Sequence, residues 1–249
     1  MNSHDLKHAL IQHKRDGRKY HGNRVGPYIH DIVYGANDGI VTTFAVVSGV
    51  AGAALSPAVI IILGFANVIA DGLSMALGNY LSHKSRQDHY QRLRKEEGRE
   101  IDEIPEIERE EIREIYRAKG FSGDDLERVA QVITADRKVW LDTMLQEEHG
   151  VTSGEDGKPV LHALVMFFAF VMFGSIPILP FLVPAVSAHP FLVTLIATGI
   201  ALLAVGLLRS WVTQERAVRG PLEIFFVGSL CAAVSYLVGM ALKGFAGVV

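Results

Sequence analysis

The stretch AVIIILGFANVIADGLSMALGNYL, Ala58 to Leu81, carries one charged side chain, Asp71, in 24 residues. A helix rises about 1.5 Å per residue, so roughly 20 such residues cross a hydrocarbon core about 30 Å thick. Four other stretches read the same way: about Ile32 to Leu55, Val160 to Val183, Ser187 to Leu208 and Leu222 to Phe245. Ser56-Pro57 parts the first two, and Pro177, Pro180 and Pro184 mark the far end of the third. Connections this short imply antiparallel hairpins. The sequence therefore predicts an all-α membrane protein with five transmembrane helices.

A soluble domain can also reach 49% hydrophobic residues in 249, so arrangement rather than amount decides the class. Between Lys84 and Gly150 lie 18 of the 27 acidic residues. This segment is an insert between spans 2 and 3. Its pattern predicts helices over Gln87 to Ile101, Pro105 to Lys119 and Asp124 to about Glu148, a three-helix unit. Pro105 suits a first helical turn and Gly120 a helix stop. Ile112, Ile115, Val129, Val132, Ile133, Val139 and Leu141 supply its apolar faces. The domains expected are an N-terminal arm (1–27), spans 1 and 2 (28–82), the acidic insert (83–158) and spans 3 to 5 (159–249).

The net charge of −3 gives no reason to expect a nucleic acid partner. The single cysteine, Cys231, excludes an internal disulfide or thiolate zinc framework. No short apolar core precedes the first span, so a cleavable signal is not expected, and the arm bearing His4, His8, His13 and His21 reads as a solvated tail. Basic residues gather in the arm, in the insert and at Arg209, Arg216 and Arg219, while the two remaining loops have none. These segments fall on one side, which predicts a cytoplasmic N-terminus and insert and an external C-terminus.

The spans hold polar residues that lipid does not favour. Asp31 and Asp38 are seven residues apart, near two turns, and share a helix face. Asn67, Asp71, Met75 and Asn79 recur every four residues on the second span. An aspartate at mid-membrane costs roughly 2.5–3.5 kcal/mol on insertion scales, so it faces a cavity, an ion or a partner. Each residue taken alone has a plainer role open to it: a local kink at Asn37-Asp38-Gly39, hydrogen bonds between helices for Asn67 and Asn79, filling for Met75. Gly35, Gly39, Gly49, Gly52, Gly64, Gly72 and Gly78 likewise suit close helix packing. Taken together, carboxylates and a thioether on facing helices suit ferrous iron better than calcium or magnesium.

In the insert, Glu97 with Glu100 and Glu108 with Glu111 form two E-x-x-E pairs, and Met144 and Glu148 lie four apart. Such spacings put each pair on one helix face, where it can converge on a cation. Solvated faces with weak ion pairs give the same pattern.

Three elements, DIVYGANDGIVTTF (31–44), ADGLSMALGNYLS (70–82) and IYRAKGF (115–121), together with the Trp140 to Glu148 stretch, resemble the vacuolar iron transporter family. The resemblance runs from about Tyr28 onward with the same five spans. It implies an exchanger of cytoplasmic ferrous iron, and often manganese, against protons, with no permanently bound cofactor. It also implies a homodimer whose ion path is lined mainly by the first two spans. Carried over, Asp38 and Met75 fall on the membrane metal site and Asp31 at its cytoplasmic entrance. Glu97, Glu100, Glu108, Glu111, Met144 and Glu148 fall on the ligands of the insert, with Glu96, Glu103 and Glu106 as candidates in a neighbouring register. Asn67 and Asn79 stand where the family often has glutamate, and Leu145 replaces a second methionine, while Asp71 adds a carboxylate a turn from Met75. The alternative reading is a membrane-anchored metal buffer or sensor. A carboxylate di-iron enzyme is disfavoured because no E-x-x-H pair occurs. A bacterial plasma membrane is the expected location.

Overall fold

In the computed structural model the described residues are 26–152, 158–183, 189–213 and 218–244. The N-terminal arm with His4 and His8, and Pro184, Ser187, Arg216 and Phe245, lie outside them. A short 3-10 turn, Gly26–Tyr28, leads into α1 (Ile29–Gly52) and α2 (Pro57–Glu103). Then come α3 (Pro105–Ala118), α4 (Gly123–Thr134), α5 (Arg137–Glu147), α6 (Pro159–Gly174), α7 (Leu179–Leu182), α8 (Pro190–Thr213) and α9 (Arg219–Lys243). The chain divides into two compact units, one of Met1–Asn79 with Val160–Val249, the other of Tyr80–Pro159.

Among the described residues three helices, α2, α8 and α9, are long and apolar enough to cross a membrane. Five were expected. The other two fall short for different physical reasons. Helix α1 has 24 residues, but Asp31, Asn37, Asp38 and its glycines, serine and threonines dilute its apolarity. Those residues are tolerable because α1 is the hub of its unit. Ala36, Ile40, Thr43 and Val47 on it are wholly buried, and its side chains join both hydrophobic clusters of that unit. Helix α6 stops after 16 residues at Gly174, short of the expected Val183. Pro177 has no N–H to continue the ladder and disfavours helix at the residue before it. Its carbonyl is taken up at 3.0 Å by the buried Thr194 hydroxyl of α8.

Close backbone approach holds this unit together, as its glycines predict. A Cβ built on Gly39 falls 2.5 Å from the Phe170 carbonyl oxygen and 3.2 Å from the Gly174 nitrogen. Gly239 on α9 meets the Gly49 carbonyl of α1 in the same manner. Backbone cannot step aside as a flexible side chain can. Gly39→Ala should therefore lose about 1–3 kcal/mol by overpacking. Gly98→Ala, whose Cβ would meet only the flexible Arg137 guanidinium at 3.5 Å, should instead gain a few tenths to about 1 kcal/mol of helix propensity. Denaturation midpoints of the purified variants in detergent check the pair.

The second unit departs from the expected three helices at both ends. Its first helix does not begin at Gln87 but is the end of α2, 47 unbroken residues with no proline or glycine pair to stop them. The last expected helix is two. Asp136 breaks it by capping a new start, its carboxylate accepting from the Lys138 and Val139 amides at 2.8 and 3.2 Å. Between α3 and α4, Gly120 takes φ +97°. The Gly120 amide bonds the Arg117 carbonyl and the Phe121 amide that of Tyr116, at 3.0 and 3.1 Å, while the Tyr116 and Phe121 rings meet edge-on at 5.6 Å. This is a Schellman stop with its apolar clasp.

Tyr90, Leu93 and Ile101 of α2, Ile112 of α3, Ala130 and Ile133 of α4, and Trp140, Leu141, Met144 and Leu145 of α5 form one core. Arg137 ties α5 to α2 through Asp102 and the Gly98 carbonyl at 2.6 and 2.7 Å.

Candidate metal centres

Within the second unit, α2 supplies Glu97 and Glu100, α3 supplies Glu108 and Glu111, and the end of α5 supplies Met144 and Glu148. Glu97 and Glu108 are each only 3% exposed. Each keeps one carboxylate oxygen, Oε2, buried with no hydrogen-bond partner among the described residues. Such orphaned acceptors are costly unless something positive meets them. Burial first, then the charges of Glu111, Glu97, Glu100 and Glu148, pushes Glu108 up from the ordinary 4.5 to about 7. Burial also raises Glu111, with Glu97 and Glu100 adding to it, and raises Glu148, with Glu97 adding most. These mutual effects make the five carboxylates one electrostatic cluster.

Glu96, Glu103 and Glu106 stand apart from it. They face Arg92, Arg99 and Arg109 at 3.9, 4.0 and 2.5 Å on the surface, as in ordinary solvated helix faces. Met144 is wholly buried, in the hydrophobic core.

One member of the cluster escaped the sequence reading. His149, just past α5, places Nε2 2.7 Å from Glu97 Oε1. Burial works against its charged form, but the Glu97 bond and the Glu148 charge outweigh that and raise its pKa. One ligand atom each from Glu97, Glu148 and His149 lie within 4.8 Å of one another. The signal was present as adjacency, Glu148-His149, after a helix already read as bearing ligands.

In the first unit the carboxylates of Asp38 on α1 and Asp71 on α2 are near enough to repel each other. Asp71 accepts from the Asn67 amide at 2.7 Å, one turn back on the same helix. Met75, one turn on, is half-buried. Asp38, Asn67, Asp71 and Met75 are thus neither sealed in the core nor fully exposed.

Asp31 differs. It is 2% exposed, and both its oxygens are engaged, one by the Asn79 amide at 2.9 Å and one by His162 Nδ1 at 2.5 Å. Asn79 is therefore the hydrogen-bonding tie between helices that its residue type allows, and Asp31 has two side-chain partners drawn from α2 and α6. The missed partner, His162, was visible as a lone polar residue in the apolar run VLHALVMFF.

Buried oxygen donors converging without enough positive charge are suited to holding a divalent cation. The comparisons agree with that chemistry. The chain matches the family model described as the VIT family over residues 29–240. It is 32% identical over 235 residues to a vacuolar iron transporter of Centaurea cyanus, covering 94% of this chain and 93% of that protein. It is 30% identical over 211 residues to vacuolar iron transporter 1 of Arabidopsis thaliana, covering 85% and 84%. It is also 30% identical over 250 residues to a vacuolar iron transporter of Plasmodium falciparum, covering 97% and 90%. These relatives are transporters, not enzymes, by name. This chain, a membrane protein, belongs to the VIT family.

Proposed function

We propose that the protein moves divalent metal, ferrous iron and manganese, out of the cytoplasm across its membrane in exchange for protons, as a homodimer. The observation that carries the reading is the pair of buried carboxylates Glu97 and Glu108, each with an Oε2 that has no hydrogen-bond partner among the described residues, inside a five-carboxylate cluster. A fold that buries like charges this way is made stable by a cation that arrives and leaves. The names of the relatives, vacuolar iron transporters, support iron as that cation.

Transport rather than storage is supported by Asp38 and Asp71. Two repelling carboxylates on α1 and α2 have no purpose in a mere anchor. A carboxylate that binds metal when ionised and a proton when empty couples the two flows by competition.

The homodimer is supported by α2. Ala66, Ala70, Ser74 and Gly78, spaced four apart, lie on its exposed face. Small residues at that spacing let a second helix approach closely in lipid, and here the stripe runs beside Asn67, Asp71 and Met75. In this reading α1 and the pair α6–α7 complete five spans, α1 keeping its polar residues inside the bundle. The basic segments then place the insert in the cytoplasm. Whether the bilayer is vacuolar, as the relatives' names have it, or a bacterial plasma membrane, the metal leaves the same compartment.

The test is flux: purified protein in vesicles should carry Fe2+ and Mn2+ across the bilayer when a proton gradient is imposed. Metal bound but never moved would favour the anchored buffer instead.

A further inference from the structure

The carry-over of family ligands to the insert names oxygen donors and Met144, and no nitrogen. From the geometry around Glu97 we infer that His149 is a metal ligand of the insert, completing with Glu97 and Glu148 a mixed nitrogen–oxygen site that sets which metals it prefers. The inference rests on the reading of the insert as a metal-binding unit.

The imidazole is held in place rather than trailing from a helix end. After α5, Gly150 turns the chain with φ +67°, and the Val151 amide bonds back to the Leu145 carbonyl at 2.9 Å. Val151 then packs on the core. This turn sets His149 against Glu97, with Nε2 2.7 Å from Oε1. Two ligands of one ion, at about 2.0–2.4 Å each, stand at most about 4.8 Å apart. The ligand atoms of Glu97, Glu148 and His149 all fall within 4.8 Å of one another, so one cation spans them with little movement. Independently, the other Glu97 oxygen and one oxygen of Glu108 are buried with no partner among the described residues. An ion pair between Glu97 and His149 alone satisfies neither of these.

The chemical consequence is selectivity. Carboxylates alone serve manganese, magnesium and calcium well, whereas an imidazole nitrogen favours iron and the later first-row ions. His149 therefore tilts the insert away from manganese and toward metals such as ferrous iron and cobalt.

The test uses full-length protein in detergent, titrated with Co2+ or Mn2+ alone. His149→Gln should weaken Co2+ binding about tenfold or more and Mn2+ binding less than about threefold. His149→Cys should restore the Co2+ preference and show a cobalt–thiolate charge-transfer band in the near ultraviolet. His149→Ser, which retains Cys231, should lack that band. Equal weakening of both metals, or no band in His149→Cys, overturns the inference and leaves His149 an ion-pair partner of Glu97. Glu97→Gln separates this failure from the larger one. If Glu97→Gln leaves both affinities unchanged, the insert is not the metal-binding unit and the inference falls with that reading.

Discussion

Asp38→Asn should lower metal flux on the order of a hundredfold while the protein still folds. Asparagine keeps the shape and one oxygen, so packing on α1 is undisturbed. In the proposed exchange it removes the negative charge that would offset dehydration of a divalent ion in lipid, and the carboxylate at which a proton would replace that ion. A stability measurement beside the flux assay should therefore show the variant as steady as the parent. Asp71→Asn should cost less, about tenfold, because its carboxylate already accepts from Asn67 at 2.7 Å, and the proposal gives it the secondary role. Flux that survives Asp38→Asn undiminished would remove the membrane site from the mechanism.

The metal-free insert should grow less stable as the pH rises, and metal should reverse the trend. Glu108 titrates near 7 in the fold against 4.5 in the unfolded chain. Between those values the folded state holds more protons than the unfolded one, so stability falls as pH rises. Glu111, Glu148 and His149 are raised too, and a raised pKa carries this same sign for acids and bases alike. From pH 5.5 to 7.5 Glu108 alone should cost about 2 kcal/mol. Metal inverts this, since ionised carboxylates bind it and protonated ones do not. Urea unfolding followed by Trp140 fluorescence, in a Trp211→Phe background, reads the insert alone. The metal-free midpoint should drop over that range, and with saturating Mn2+ it should rise instead. A metal-free midpoint that climbs with pH would show that the carboxylates are not buried together.

Residues that act locally were legible in the sequence. Pro105 opened α3, Gly120 closed it through a Schellman turn, and the apolar runs gave α2, α8 and α9. What the sequence misplaced were helix boundaries, where competing local signals had to be weighed. The break after Gly174 arises where Pro177 interrupts the helical ladder and Thr194 on another helix takes its carbonyl. The split at Asp136 arises because an N-cap competes with helix continuation, and apolar periodicity alone cannot weigh that contest. The long α2 ran on past Leu81 because a change from apolar to charged surface alters the solvent a helix suits, not its backbone.

E-x-x-E spacing named Glu97, Glu100, Glu108 and Glu111, which the fold brings into one carboxylate cluster, and the four-residue stripe named Asn67 and Asp71, which bond each other. Spacing within one helix cannot reveal a partner from another. His149 and His162 were missed for that reason, each being joined to its carboxylate by tertiary structure across 52 and 131 residues of chain.

The proposed exchange is tested most directly by following metal and proton together. Vesicles holding a metal-quenched dye and a pH dye, with an acid interior, receive Fe2+ or Mn2+ outside under reducing conditions. The reconstituted protein should carry metal inward while the interior becomes more alkaline, both signals vanishing when the gradient is collapsed. Metal entry with no proton movement, at a rate indifferent to the gradient, would contradict proton exchange. No metal entry at all would contradict transport itself.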